Sequence, residues 1–168
     1  MQVSWRNRLR LVALEAGLFL FAAVLIGAVT AFARAATAEG QVVMSAEAFA
    51  LVRDNAVRKG DVLTLAKVAG IAGAKKTADL IPLCHPLPLD AIEVEAVADP
   101  ALPGVRVTAT ARATARTGVE MEALAAVSAA CLTVYDMVKA VDRQMRIEGI
   151  HVVSKSGGSH DFDVTRDK

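Results

Sequence analysis

The sequence predicts an α+β fold, an antiparallel sheet with helices packed on one face. Two segments, Ala91–Asp99 and Val105–Thr114, alternate apolar and polar residues as half-buried strands do. Two others, Asp61 to about Lys76 and Val119–Val141, space their apolar residues at helical intervals. Strung together, the elements read strand, helix pair, strand, strand, helix, strand. That order is the split βαβ, ferredoxin-like arrangement.

Each element rests on local signals. Val42 to Met44 is a short apolar stretch expected to form an edge strand. Ser45 is a natural N-cap for a helix over Ala46–Asn55, with Ala48, Leu51 and Val52 on its apolar face. Asp61 caps the second helix, whose apolar positions are Leu63, Val68 and Ile71 and whose small residues permit close packing. Leu80 to Leu89 contains three prolines and is excluded from regular helix. Ile92 and Val94, then Val105, Val107 and Ala109, point one way, Arg106 and Thr108 the other, with Pro100–Gly104 as the turn. Leu124, Val127, Leu132 and Met137 are apolar positions of the long helix. Met145–Ser154 is the last strand, Ser156 to Gly158 a loop, and Phe162–Thr165 a short tail.

Composition narrows the function. The chain has 168 residues, enough for one domain with a real core. Nineteen Lys+Arg against eighteen Asp+Glu, with 4% aromatics, argue against nucleic-acid binding by bulk charge or base stacking. The two cysteines, Cys84 and Cys131, form neither a disulfide scaffold nor a CxxC motif.

The mean hydropathy of +0.42 is high for a soluble domain, and the excess is concentrated at the front. Arg6, Arg8 and Arg10 precede an uncharged run, Ala16 to Ala33, at the lower length limit for a transmembrane helix. The pattern also fits a signal peptide. The domain organisation expected is an atypical apolar segment over residues 1–40, anchor-like or mis-assigned, followed by a body over residues 41–168.

Four clusters in loops or at helix ends carry potential chemistry. Arg58-Lys59-Gly60-Asp61 opens a helix, where a lysine beside free backbone N–H groups suits an anion; the plain alternative is a solvated turn. Cys84-His85 lies between Pro82 and Pro86, which fix the backbone around the histidine. With His151 and His160 placed in a strand and a tail, no zinc site is expected. Glu120 and Glu122 stand at the N-terminus of the long helix, where the helix dipole partly explains them, yet they cannot share one face. Asp136 and Lys139 are helical neighbours, an ordinary ion pair in many proteins. The loop Lys155-Ser156-Gly157-Gly158 offers N–H groups to a phosphate. Together the clusters point to an enzyme acting on a phosphorylated small molecule through proton transfers.

At these clusters the chain resembles the MoaC family of cyclic pyranopterin monophosphate synthases, which act in molybdenum-cofactor biosynthesis. The resemblance is carried by KGDVLTLAKVAGIAGAKKTADLIPLCHPLPL (Lys59–Leu89), TGVEMEALAAVSAACLTVYDMVKAV (Thr117–Val141) and KSGG (Lys155–Gly158). It extends from about Arg34 to Phe162, with Arg34, Ala36, Ala38 and Gly40 fitting the family's Arg-x-Ala-x-Ala-x-Gly pattern. The family's Val-Asp-Val string near the start is absent. An altered or mis-assigned N-terminus therefore accounts for the front better than an anchor does.

The resemblance implies a phosphorus–oxygen lyase that rearranges 3',8-cyclo-7,8-dihydroguanosine 5'-triphosphate into cyclic pyranopterin monophosphate and releases pyrophosphate. It implies a ferredoxin-like subunit in a homohexamer, a trimer of dimers, with the active site at a subunit interface. It needs no cofactor, metal or nucleic acid, and its location is cytoplasmic, with membrane contact only if the apolar run is a genuine anchor. The family's catalytic residues fall on Asp136, Lys59 and Lys139. Its substrate-binding residues fall on Leu83, Cys84, His85, Glu120, Met121, Glu122 and Lys155. On this reading Lys59, His85 and Lys155 neutralise the triphosphate, Asp136 moves protons beside Lys139, and Glu120 and Glu122 accept hydrogen bonds from the guanine-derived N–H groups. The alternative is a non-catalytic nucleotide- or pterin-binding member of the family.

Overall fold

A computed structural model describes residues 32–158 and 160–164. The apolar run, apart from its last two residues, and the readings made of it lie outside the described residues. From Ala33 onward the chain forms one compact unit. Its elements are β1 (Phe32–Val43), α1 (Ala46–Arg53), α2 (Val62–Ala74), α3 (Thr77–Leu80), β2 (Ala91–Asp99), β3 (Gly104–Ala115), α4 (Glu120–Val138), β4 (Arg146–Ser156) and β5 (Phe162–Asp163). The sheet order is β2-β3-β1-β4-β5, and the pairs β2–β3, β1–β4 and β4–β5 run antiparallel. The ferredoxin-like α+β expectation holds.

β1 differs from the short edge strand expected at Val42–Met44. It starts at Phe32, runs through the boundary drawn between residues 40 and 41, and lies in the middle of the sheet. The inward positions explain why its pattern was hidden. Ala36, Ala38 and Val42 are buried, and Gly40 sits between them. A Cβ at Gly40 would lie 2.8 Å from Val127 Cγ1 of α4, closer than packed carbon atoms come. Side chains this small give no apolar alternation.

The N-caps form as the sequence predicts. Ser45 Oγ accepts from Ala48 N at 3.3 Å, and Asp61 accepts from Thr64 N at 3.0 Å. In α1 the buried face is Ala48, Phe49 and Val52, with Leu51 only half-buried.

The buried face of α2 is not the one that side-chain size suggested. Val62, Ala66, Gly70, Gly73 and Ala74 are buried, Leu63 and Ile71 half-buried, and Val68 is 57% exposed. The helix packs through small residues against α4, so that a Cβ at Gly73 would lie 2.5 Å from Ala129 Cβ. Larger residues cannot occupy an interface that tight, and they turn outward. Leu132 on α4, expected among the apolar positions, is 61% exposed for the same reason.

α4 is the core helix. Ala123, Ala126, Val127, Ala130, Cys131, Val134 and Val138 are fully buried, and Val105, Val107, Ala109, Ala111 and Ala113 of β3 line the same core. Among the described residues α4 is the one helix long and apolar enough to cross a bilayer, yet half of that window is buried within the fold. α2 and α4 run antiparallel: Lys59, just ahead of α2, meets Asp136, whereas Gly70 and Gly73 meet Ala126 and Ala125. The tail at Phe162 is a short strand rather than a free end, pairing Lys155 with Phe162 and Ser154 with Asp163.

Candidate active site

The charged residues expected to carry chemistry form two clusters, one at each end of α4. At its C-terminal end Asp136 accepts from two ammonium groups, Lys59 Nζ at 2.7 Å and Lys139 Nζ at 2.6 Å. Lys139 reaches it as an i,i+3 neighbour. Lys59 arrives from the turn before α2, where Gly60 at φ 109° adopts a backbone conformation that L side chains rarely take. Lys59 Nζ also donates to the Asp136 carbonyl at 2.8 Å, placing a cation on the negative end of the helix dipole.

The lysines set the state of the carboxylate. Hydrogen bonds from Lys139 and then Lys59, with their charges, hold Asp136 down at about 2. All three side chains are about half-exposed, where solvent screening leaves ion pairs little stabilising effect. The triad is thus charged, wet and able to exchange partners with an incoming anion. It lines a cavity of about 380 Å³ with Tyr135, Ala140 and Arg143.

The second cluster occupies the N-terminal end of α4. Lys155 Nζ donates to Glu120 Oε1 at 3.1 Å, from the end of β4 onto the first residue of the helix. Glu122, two residues on, turns the other way and is 4% exposed. Burial, and then the charge of Glu120, push its carboxyl above the usual range. The two glutamates thus have separate environments, as their spacing requires. Met121 between them is exposed. A cavity of about 310 Å³ is lined here by Arg34, Arg116, Gly118, Glu120, Lys155 and Gly158, among others.

Leu83, Cys84 and His85 lie in the irregular segment after α3. Leu83 is 91% exposed, His85 exposed and Cys84 half-buried, its N–H bonded to the Ile81 carbonyl at 3.0 Å. Lys59, paired with Asp136, and Lys155, paired with Glu120, are not brought together within one chain. Among the described residues no group of three or more His, Cys, Asp and Glu side chains is arranged to hold a metal ion.

Reading the sequence for clusters missed several residues. Arg34 donates to the carbonyls of Ala115, Arg116 and Gly157, tying the start of β1 to the end of β3 and to the Lys155–Gly158 loop. Its place in a repeated small-residue pattern was the signal that could have marked it. Tyr135 and Arg143 had no such signal, since only the end of α4 and the turn beyond it place them in the Asp136 cavity.

A ferredoxin-like sheet with a lysine–carboxylate cluster at each end of its long helix defines an α+β protein with two charged candidate sites. The MoaC family model matches residues 23–158. A Cereibacter sphaeroides protein named cyclic pyranopterin monophosphate synthase is 62% identical over 126 residues, 75% of this chain and 79% of its own length. Proteins of the same name from Methylobacterium sp. (strain 4-46) and Dinoroseobacter shibae are 62% identical over 128 residues and 56% over 125, covering 80% and 79% of those proteins. The chain belongs to the MoaC family.

Proposed function

We propose that this chain catalyses the cyclic pyranopterin monophosphate synthase reaction. It converts 3',8-cyclo-7,8-dihydroguanosine 5'-triphosphate into cyclic pyranopterin monophosphate, with release of pyrophosphate, in molybdenum-cofactor biosynthesis. The observation that carries this reading is the Lys59–Asp136–Lys139 triad, with two ammonium donors on one carboxylate at the wall of an open cavity. Relatives at 56–62% identity carry the name of this activity.

The geometry supports specific roles. A carboxyl held at about 2 stays ionised near neutral pH and is a weak base there. Asp136 acts chiefly by aiming Lys59 and Lys139, whose ammonium groups donate protons and neutralise charge that develops in the transition state. Lys155, with His85, holds the triphosphate and favours pyrophosphate departure. Glu120 and Glu122 accept from the guanine-derived N–H groups, and Leu83, Cys84 and Met121 line the bound ring.

Assembly completes the site. With its two halves at opposite ends of α4, one subunit supplies one end and a neighbour the other, within a homohexamer built as a trimer of dimers. Exposed Leu65, Val68 and Leu132 on the helical layer supply apolar surface of the kind that oligomers cover. A cytoplasmic location goes with a nucleotide-derived substrate.

The test is incubation of the purified chain with the cyclised dihydroguanosine triphosphate, following pyrophosphate and the pterin product together. Joint appearance of both is the expected result. Binding of the substrate without either product would replace this reading with that of a non-catalytic binding protein.

A further inference from the structure

Lys155 is held from two sides. Its ammonium donates to Glu120 Oε1 at 3.1 Å and also stands 5.8 Å from the centroid of the Phe162 ring. The second contact follows from the strand register. Lys155 and Phe162 are direct partners in the β4–β5 pair, so their side chains stand side by side on one face. The pairing continues beyond the ring, with Val164 N donating to the Val153 carbonyl at 2.9 Å. Before it, Asp161 Oδ1 accepts from Gly158 N at 3.2 Å and closes the turn. Phe162 itself is 41% exposed and is not among the core residues, so its ring does little for the packing of the fold.

We propose that Phe162 is a positioning residue for Lys155, its ring face holding the ammonium at the mouth of the Glu120 cavity. The proposal rests on the reading of Lys155 as a ligand of the substrate triphosphate. The physical reason lies in what the ring can and cannot do. A substrate phosphate must draw Lys155 away from Glu120. A second carboxylate in place of the ring would hold the ammonium too tightly for that exchange, whereas a ring attracts it more weakly and accepts no hydrogen bond from it in the plane. With no partner on that side, the long lysine side chain would spend its time among several rotamers. The two-residue strand thus keeps Lys155 extended between the Glu120 cavity and a larger groove of about 630 Å³ that Lys155 and Phe162 also line.

The experiment uses the full chain labelled with carbon-13 at the lysine ε position, the Lys155 signal assigned by its loss in Lys155→Arg. Ring-current shielding should move the Lys155 ε-methylene protons upfield of the other lysines. Phe162→Leu should abolish that shift and Phe162→Tyr should keep it. In turnover, Phe162→Leu should raise KM for the cyclised triphosphate about fivefold with kcat nearly unchanged, and Phe162→Tyr should restore it. Titration with inorganic pyrophosphate should weaken by a similar factor in Phe162→Leu alone. An unshifted Lys155 signal in the unsubstituted chain would overturn the proposal. So would a Tyr variant as impaired as the Leu variant, because the tail would then act through its fold and not through the ring. If the unsubstituted chain does not turn over the triphosphate, the functional reading fails, while the shift and the pyrophosphate titration still decide this one.

Discussion

Glu120 and Asp136 stand at opposite ends of α4, about 24 Å apart at the rise of an α-helix, and each is bonded to a lysine from a different part of the chain. Lys155 reaches Glu120 from β4, and Lys59 reaches Asp136 from the turn before α2. The separation is too large for both pairs to act on the same reacting atoms from within one chain. A rigid core helix cannot shorten it, since its buried face is packed along the whole length.

That distance makes a complementation test decisive for assembly. Asp136→Asn and Lys155→Ala should each be severely impaired alone. Co-expressed and co-purified, they should regain a measurable share of activity, because some interfaces combine an intact Asp136 end with an intact Lys155 end. Mixed oligomers with no activity, confirmed as mixed by native mass spectrometry, would place both pairs in separate single-chain sites.

Asp136→Asn should lower kcat by at least about 100-fold while the proposed oligomer remains intact by light scattering. Its pH behaviour follows from the sign of the shift. A carboxyl lowered to about 2 contributes stability that is present above the ordinary carboxylate range and is lost as pH falls through 2. The melting temperatures of the variant and the unsubstituted chain should therefore run parallel from pH 5 to 9. Their separation should change only below about pH 4. An acid limb of activity between pH 5 and 7 that vanished in Asp136→Asn would show instead that Asp136 titrates during turnover.

Glu122 shifts in the opposite sense. With its carboxyl raised by burial, stability is fully present below the ordinary glutamate range and is lost as pH rises through the raised value. Glu122→Gln should remove that loss, melting higher than the unsubstituted chain at pH 8 and close to it at pH 4. Equal melting at pH 8 would mean that the ionised carboxylate is well paired in the folded protein.

Gly73→Ala probes the α2–α4 interface. The added Cβ would lie 2.5 Å from Ala129 Cβ and 3.0 Å from the Ala125 carbonyl, so one helix must shift. A loss of about 1–3 kcal/mol in chemical denaturation is expected. Ala129→Gly should recover part of it, since it removes the atom that the new methyl meets first.

The thiols should separate cleanly. Cys131 is fully buried, and that burial pushes it up to about 12, leaving almost no thiolate for reaction at pH 8. Cys84 is half-buried in the proline-rich segment. Ellman's reagent should titrate one thiol in the native chain and a second only after unfolding. Peptide mapping should place the first label on Cys84.

Much of this molecule was legible in one dimension. Ser45 and Asp61 marked their helix starts because a short oxygen-bearing side chain can satisfy orphan N–H groups within one turn. The Ala91–Asp99 strand was read to the residue and its β3 partner to within one residue at each end, because alternation is a local property of the backbone pleat. The long shared strings around Lys59, Glu120, Asp136 and Lys155 named the family for the same reason: chemistry held in contiguous loops stays contiguous in the sequence.

Other features needed the third dimension. The central place of β1 leaves no trace in the sequence, because Ala36, Ala38 and Gly40 look unremarkable until the core closes over them, α4 lying against Gly40. Val68 and Leu132 looked like core and are exposed, because helices in closest contact bury their smallest residues and turn the larger ones outward. Tyr135, Arg143 and Phe162 joined the two sites only through the end of a helix, a turn and a strand register. Most of the elements, their order and the family are legible in the chain alone, because these depend on neighbours within a few residues. Packing decides which lysine joins which carboxylate, Lys155 with Glu120 and Lys59 with Asp136, because closeness in space between residues far apart in the chain leaves no local trace.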